Sequence, residues 1–177
     1  MSGRIIIQDY QADWPQRFER EAEQIQTAIG PWLVRLEHVG STSVPNLAAK
    51  PIIDMLGGVR QLSDVVQFCV GPLAHLGYEY VPEFEDQLPL RRYFRKSDAQ
   101  GVRRFHLHIY VLESAGWQRH LYFRDYLRAH PEQVQAYEAL KRDLASRYDD
   151  THAYTDAKSD FIQATEQAAR EWKGTSL

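Results

Sequence analysis

The sequence predicts an α+β fold, a mixed sheet core with flanking helices followed by a helical C-terminal segment. Three observations carry this. The run PIIDMLGGV, from Pro51, is apolar almost throughout, as expected for a central strand covered on both faces. RRYFRKS and RRFHLHIYVL flank the turn SDAQG, the pattern of a β-hairpin. After about residue 114 the apolar residues recur at helical spacing. A chain of 177 residues suits one domain with a single core. That domain is expected to span 1–177, with the sheet core over about 1–113 and the helical extension over about 114–177.

The elements follow in order. IIIQDY reads as a short strand or an extended arm. Asp13, before Trp14 and Pro15, opens a helix, because proline is tolerated in the first turn, where its missing N–H has no partner to lose. Phe18, Ala22, Ile25 and Ile29 then recur at helical spacing until Gly30-Pro31. LVRLEHV, Leu33 to Val39, alternates as a strand. After PIIDMLGGV a second helix is expected from about Leu62 to Leu76, kinked or divided at Gly71-Pro72 and stopped at Gly77. YEYV reads as a short strand, and VPEFEDQLPL as an acidic loop bracketed by prolines. Beyond the hairpin, one helix runs from about Ala115 to Ala129. Pro131 opens another that carries Val134, Tyr137, Leu140 and Leu144. A last helix starts near Asp156 and carries Phe161, Ile162 and Trp172.

Composition narrows the function. Hydrophobic and charged fractions of 44% and 25% are ordinary for a folded soluble protein. A formal net charge of -3 gives no global pull toward nucleic acid, which is therefore not the expected partner. The single cysteine, Cys69, excludes an internal disulfide framework and a Cys-rich zinc site, and within VVQFCV it reads as a buried, inert thiol. The start MSGRIIIQDY turns polar after three isoleucines, unlike a secretory signal. No apolar run reaches the roughly 20 residues that cross a bilayer. The expected compartment is the cytoplasm, with no membrane partner.

The chemistry concentrates in HVGSTSVPNLAAKPIIDM, residues 38 to 55. A Gly-Ser turn between a strand and a short helix suits a phosphate: glycine allows close backbone approach, serine offers a hydroxyl, and a helix start aims free N–H groups at an anion. Gly40, Ser41, Thr42 and Ser43 form this candidate cradle, with Lys50 a further phosphate contact or a residue that closes the turn. Period two places Ile52, Asp54 and Leu56 on one strand face and Ile53 and Met55 on the other. An ionised Asp54 in so apolar a strand needs a cation or hydrogen-bond donors. A metal bound to a triphosphate would supply the first. The alternative is an ordinary turn, with Asp54 paired to an arginine.

The stretch resembles the signature of the GrpB-like family, an uncharacterised branch of the nucleotidyltransferase superfamily. DYQADWPQRFEREA, FHLHIYV, LYFRDYLRAHPEQVQAYEALKRDLA and YTDAKSDFI also resemble family blocks, so the likeness covers nearly the whole chain. It implies a nucleotidyltransferase-type core with an added helical segment. The family also occurs fused to dephospho-coenzyme A kinase, which implies a nucleotide or coenzyme A context and a functional link to coenzyme A biosynthesis.

The superfamily pattern is a Gly-Ser turn, about a dozen residues, and two acidic residues separated by one apolar residue. Gly40-Ser41 matches the turn, and twelve residues later Asp54 matches the first carboxylate. The second falls on Leu56. Two-metal nucleotidyl transfer needs ligands for both ions, so this departure puts that arrangement in doubt. In RRFHLHIYV, the residues Phe105, Leu107, Ile109 and Val111 are expected to face the core, and His106 and His108 the other side. Asp54 with the two histidines is a candidate single-metal site for a divalent ion. Imidazole ligands favour zinc, manganese or iron over magnesium. His38 either points into this site or caps its strand.

Arg91, Arg92, Arg95, Arg103 and Arg104 line the hairpin. Arg92 is the candidate for neutralising charge during catalysis, and the alternative is a charged guard on a sheet edge. Arg124 and Arg128, four apart beside Asp125, read as a network fastening helix to core. Three functions follow: a metal-dependent nucleotidyltransferase for a nucleoside triphosphate or related phosphate ligand, a non-catalytic nucleotide- or coenzyme A-binding module, and a single-metal phosphohydrolase.

Overall fold

A computed structural model of the chain describes residues 5–174, so the outermost residues of the expected 1–177 span lie outside the described residues. Helix α1 (Trp14–Ile29) precedes strand β1 (Leu33–Val39), a single 3-10 turn (Ser41–Ser43) and strand β2 (Ile53–Val59). The next helix is broken: α2 (Leu62–Asp64) passes through a π-helical turn (Val65–Cys69) into α3 (Val70–His75). Strand β3 (Tyr78–Tyr80), a 3-10 turn (Pro82–Phe84) and the hairpin β4 (Arg92–Ser97) and β5 (Arg103–Val111) complete the sheet. Helices α4 (Ala115–Ala129), α5 (Pro131–Arg147), α6 (Thr151–Asp156) and α7 (Ser159–Trp172) follow. The fold is α+β.

The five strands lie in the order β1-β2-β5-β4-β3. Only β2 and β5 pair in parallel, so the sheet is mixed and its two central strands carry the site. Ile53 and Met55 of β2, with Phe94, Leu107 and Ile109, pack on Ile25 and Ile29 of α1 and on Val65, Cys69 and Leu73. Val39, Leu56 and Tyr110 pack from the opposite face onto Trp117 of α4. Burial on both faces explains why β2 carries so few polar residues. The helical segment has its own apolar contacts with the front of the chain. Leu127, Val134 and Tyr137 meet Val44 and Leu47 beside the Gly-Ser turn, and Leu144 and Tyr154 meet Ile5 of the arm. IIIQDY forms that arm, joined to the body by paired 2.9 Å bonds between Gln8 and Ala49.

Three expectations are corrected. The break in the second helix comes before Gly71-Pro72, over Val65–Cys69. Pro72 cannot donate to the carbonyl four residues back and its ring crowds it, so the chain widens and Val70 N–H reaches Val65 O. The last helix carries Phe161, Ile162 and Trp172 as expected but starts three residues late, and a separate short helix precedes it. α6 starts at Thr151 because the Asp150 carboxylate accepts the Ala153 N–H, and α7 begins only at Ser159. Val111 is exposed rather than core-facing, because β5 ends there and the flanking helices leave its last residue uncovered. Cys69 is buried, and burial pushes its thiol up to about 11. No described helix is long and apolar enough to cross a membrane.

Candidate functional site

β1 ends at Val39, and Gly40 turns the chain with φ 69° and ψ -173°, a conformation essentially confined to glycine. There is a second reason for glycine. A Cβ on this residue would lie 2.4 Å from Asp54 Oδ2, so the turn backbone is pressed against the carboxylate. The parallel register sets Asp54 beside His106 and Leu56 beside His108. Asp54 Oδ1 lies 3.0 Å from His106 Nδ1 and 3.9 Å from His108 Nε2. One ligand atom from each of the three residues falls within 4.8 Å of the others. Burial opposes the charge on Asp54. The hydrogen bond with His106 and the attraction of both imidazoles outweigh it, holding the carboxyl far below the usual range. Among the described residues no arginine takes this role.

One carboxylate and two imidazoles form a donor set suited to zinc, manganese or ferrous iron. Burial lowers the His108 pKa and favours the neutral imidazole that a metal needs. His108 Nδ1 is buried with no hydrogen-bond partner, while Nε2 faces Asp54. The residues fit one ion. The position that would supply a second carboxylate is Leu56, fully buried against Val39, Tyr110 and Trp117.

The candidate cradle divides. Thr42 Oγ1 lies 3.0 Å from His38 Nε2, and Ser43 Oγ donates to Gly40 O at 2.7 Å, so both hydroxyls are engaged inside the turn. His38 stacks on Phe18 and belongs to the turn's support rather than to the Asp54 centre. Burial lowers its pKa to about 4, against the pull of the nearby Asp54 charge and with help from Arg128 and Arg124. Arg128 donates to Ser43 O at 3.0 and 2.7 Å, and Arg124 to His38 O at 3.1 Å and Glu37 at 2.8 Å, fastening α4 to the turn. Ser41 alone of the cradle hydroxyls faces a cation: Lys141 Nζ donates to it at 3.2 Å and also to Ala48 O.

Lys141 is one of three lysines that converge here. Lys50 and Lys158 lie over the Tyr154 ring at 4.5 and 4.2 Å, and both feel the charge of Asp54. Burial, with mutual repulsion, lowers Lys141 to about 7 and Lys158 to about 8, and burial also lowers Lys50. Partly desolvated ammonium groups beside a hydroxyl and a turn are what a polyanion would compensate. Lys141 was not singled out from the sequence. Its signal is a lysine in the buried stripe Tyr137, Lys141, Leu144 of α5.

Arg92 is corrected. It pairs with Ile109 across the hairpin and so lies on the sheet face opposite Asp54, bonded to Glu85 and to the carbonyls of Pro89 and Arg91. Alternation gives the site face to its neighbour Tyr93, which stacks on His108 at 5.0 Å. His120, also unforeseen, is buried beside His108 with its Nδ1 2.8 Å from Gly116 O; desolvation, then the neighbouring His108, lowers its pKa to about 3. Nothing in the sequence around it marks that contact.

Residues 4–168 match the protein family described as GrpB protein. The chain is 40% identical over 171 residues to YqkA of Bacillus subtilis, covering 96% of this chain and 48% of that one. It is 30% identical over 182 residues to a dephospho-CoA kinase of Mycolicibacterium paratuberculosis, covering 90% of this chain and 44% of the kinase. It thus spans about half the length of both. The crystal structure of GrpB from Enterococcus faecalis superposes with a TM-score of 0.86 at 37% identity, covering 96% of this chain and all (100%) of that one. A Cid1 poly(U) polymerase bound to MgATP superposes with a TM-score of 0.54 at 14% identity, covering 80% of this chain and 45% of that chain, a likeness of fold.

Proposed function

The chain belongs to the GrpB family, and from that premise we propose that it binds a nucleoside triphosphate with one divalent metal ion and transfers the nucleotidyl group to an acceptor. The observation that carries this is the convergence of Ser41, Lys50, Lys141 and Lys158 beside Asp54, His106 and His108. Asp54, His106 and His108 would hold the metal, which polarises a phosphoryl oxygen when bound. Ser41 and the lysines would hold the β- and γ-phosphates, with Gly40 bringing the turn backbone close. As the acceptor atom bonds to the α-phosphorus, the α–β bridge breaks and its electrons leave with pyrophosphate. The lysines would neutralise that leaving charge. Coenzyme A or a precursor belongs among the ligands to test, because a relative of this chain is a dephospho-CoA kinase.

Leu56 supports a second reading, a nucleotide- or coenzyme A-binding module without turnover, because it leaves one carboxylate where two-metal transfer uses more. The test is thermal unfolding with Mg²⁺, Mn²⁺ or Zn²⁺, each with and without nucleoside triphosphates and coenzyme A. A ligand at 100 times its Kd stabilises the native state by about 2.7 kcal/mol. The expected result is a metal-dependent nucleotide shift, lost in Asp54→Ala and reduced in Lys141→Ala, with pyrophosphate released in turnover assays. A shift without turnover selects the binding module, and orthophosphate release a hydrolase. No shift with any combination overturns the phosphate reading.

A further inference from the structure

The lysines approach the Asp54 centre from the turn and the helices. The hairpin approaches it from the other side, and there the cations are arginines. On β4 the residues facing the site are Tyr93 and Arg95, opposite His108 and His106. The register shifts between Lys96 and Ser97, so Ser97 pairs with Arg103. Strict alternation from His106 would have set Arg103 with Phe105 on the core face. The shift instead turns Arg103 to the Tyr93 side, close enough for the Tyr93 hydroxyl to act on its charge, while its Nε donates to Ser97 Oγ at 3.2 Å. Arg91, just before β4, lies 5.0 Å over the Tyr93 ring and 5.9 Å over Phe84, close enough to His108 to act on its charge.

These arginines differ in their partners. Arg95 is held by both oxygens of Glu79 at 2.6 and 2.8 Å, so its charge is matched. Arg91 is held by aromatic faces, and Arg103 by the Ser97 hydroxyl with only the longer-range pull of Glu79, whose two oxygens Arg95 already occupies. Partial burial and the neighbouring Arg95 lower the Arg103 pKa, a strain that an anion would relieve. Phe84, Leu88 and Leu90 expose apolar surface on the loop that leads into Arg91.

Resting on the proposed nucleotide site, we propose that Arg91 and Arg103, across the Tyr93 ring, form the acceptor subsite, and that the acceptor is a small organic anion: its phosphate or carboxylate is held between the two guanidiniums and its apolar part lies against Tyr93 and the loop of Phe84. Arginine forks bind such groups in bidentate fashion. The stack Tyr93–His108 places this anion next to the metal triad, on the side away from Lys141. A long polyanion fits poorly, since Glu83, Glu85 and Asp86 lie in the same loop.

The experiment uses the full chain and two probes, phenyl phosphate and benzoate, with binding followed by NMR shifts of backbone amides in the β4–β5 hairpin. At least one probe is expected to bind there, and the stronger one tells a phosphate from a carboxylate acceptor. Arg91→Gln and Arg103→Gln should each weaken that binding about tenfold or more, while Lys141→Ala leaves it within a factor of two or so and nucleotide binding survives both arginine changes. Loss of the probe in Lys141→Ala alone, or no hairpin shift from either probe, overturns the subsite. So does a single-stranded oligonucleotide that binds through the same arginines more tightly than both probes. A hairpin that binds the probe while no nucleotide binds anywhere would sink the transferase reading and leave an anion site standing, so the two failures are told apart.

Discussion

Gly40 meets two separate demands: a backbone conformation nearly closed to other residues, and contact with Asp54 closer than any side chain permits. Gly40→Ala is therefore expected to cost about 2 kcal/mol from the backbone alone, and to push the Asp54 carboxylate off His106. Thermal unfolding checks the first effect, and Mn²⁺ titration with Asp54→Ala as the reference checks the second. An alanine variant with unchanged unfolding and metal affinity would contradict this contact. The residue scale is also where the sequence speaks most directly. Gly40, Ser41, Asp54, His106 and His108 were all marked by type and spacing, because close approach, a charge in an apolar strand and period-two alternation are local properties. Whether Asp54 met an arginine or the histidines was not local. It depended on the register between β2 and β5, strands separated by about fifty residues.

At the scale of the element, α5 couples packing to charge. Its buried stripe contains Lys141 between Tyr137 and Leu144, and burial holds the ammonium at about 7, below its ordinary value of 10.5. The unfolded chain therefore binds a proton between pH 7 and 10.5 that the folded chain has released. Folding stability must rise with pH across that window, by about 1.4 kcal/mol per pH unit at most from this group. Urea midpoints at pH 7 and 9 should show the rise in wild type and a smaller one in Lys141→Met. Equal slopes would mean that the amine is solvated. The Lys158 amine acts in the same direction, so the difference between proteins is the informative quantity. The broken helix teaches a related lesson. Pro72 announced a disturbance, but where the chain absorbed it was settled by which turn could widen while keeping Val65, Cys69 and Leu73 in the core.

Across the whole molecule, the sheet is covered on both faces, and this decides what the site lacks. Leu56 shares its strand face with Asp54 but sits one pair further in, under Trp117. Leu56→Asp, which adds a second carboxylate two residues after Asp54, is expected to destabilise the protein by about 4 kcal/mol through an unpaired buried charge. Chemical denaturation measures this, and metal stoichiometry by calorimetry should stay at one. A stable variant that takes up two ions would show that α4 can yield. By itself the sequence determined the α+β class, the order of its elements and the Gly-Ser turn, Asp54 and histidine pattern, since these rest on periodicity and residue type within short windows. Tertiary structure alone decided that Thr42 and Ser43 are used within the turn and that Arg92 faces away. It also decided that Lys141 of α5 and Lys158, in the turn before α7, come from distant parts of the chain to Ser41 and Asp54, and that Arg103 crosses to the site face. The physical reason is range: alternation and helical spacing act over a few residues, whereas a site is assembled by strand register and helix packing, which are settled only when the whole core closes.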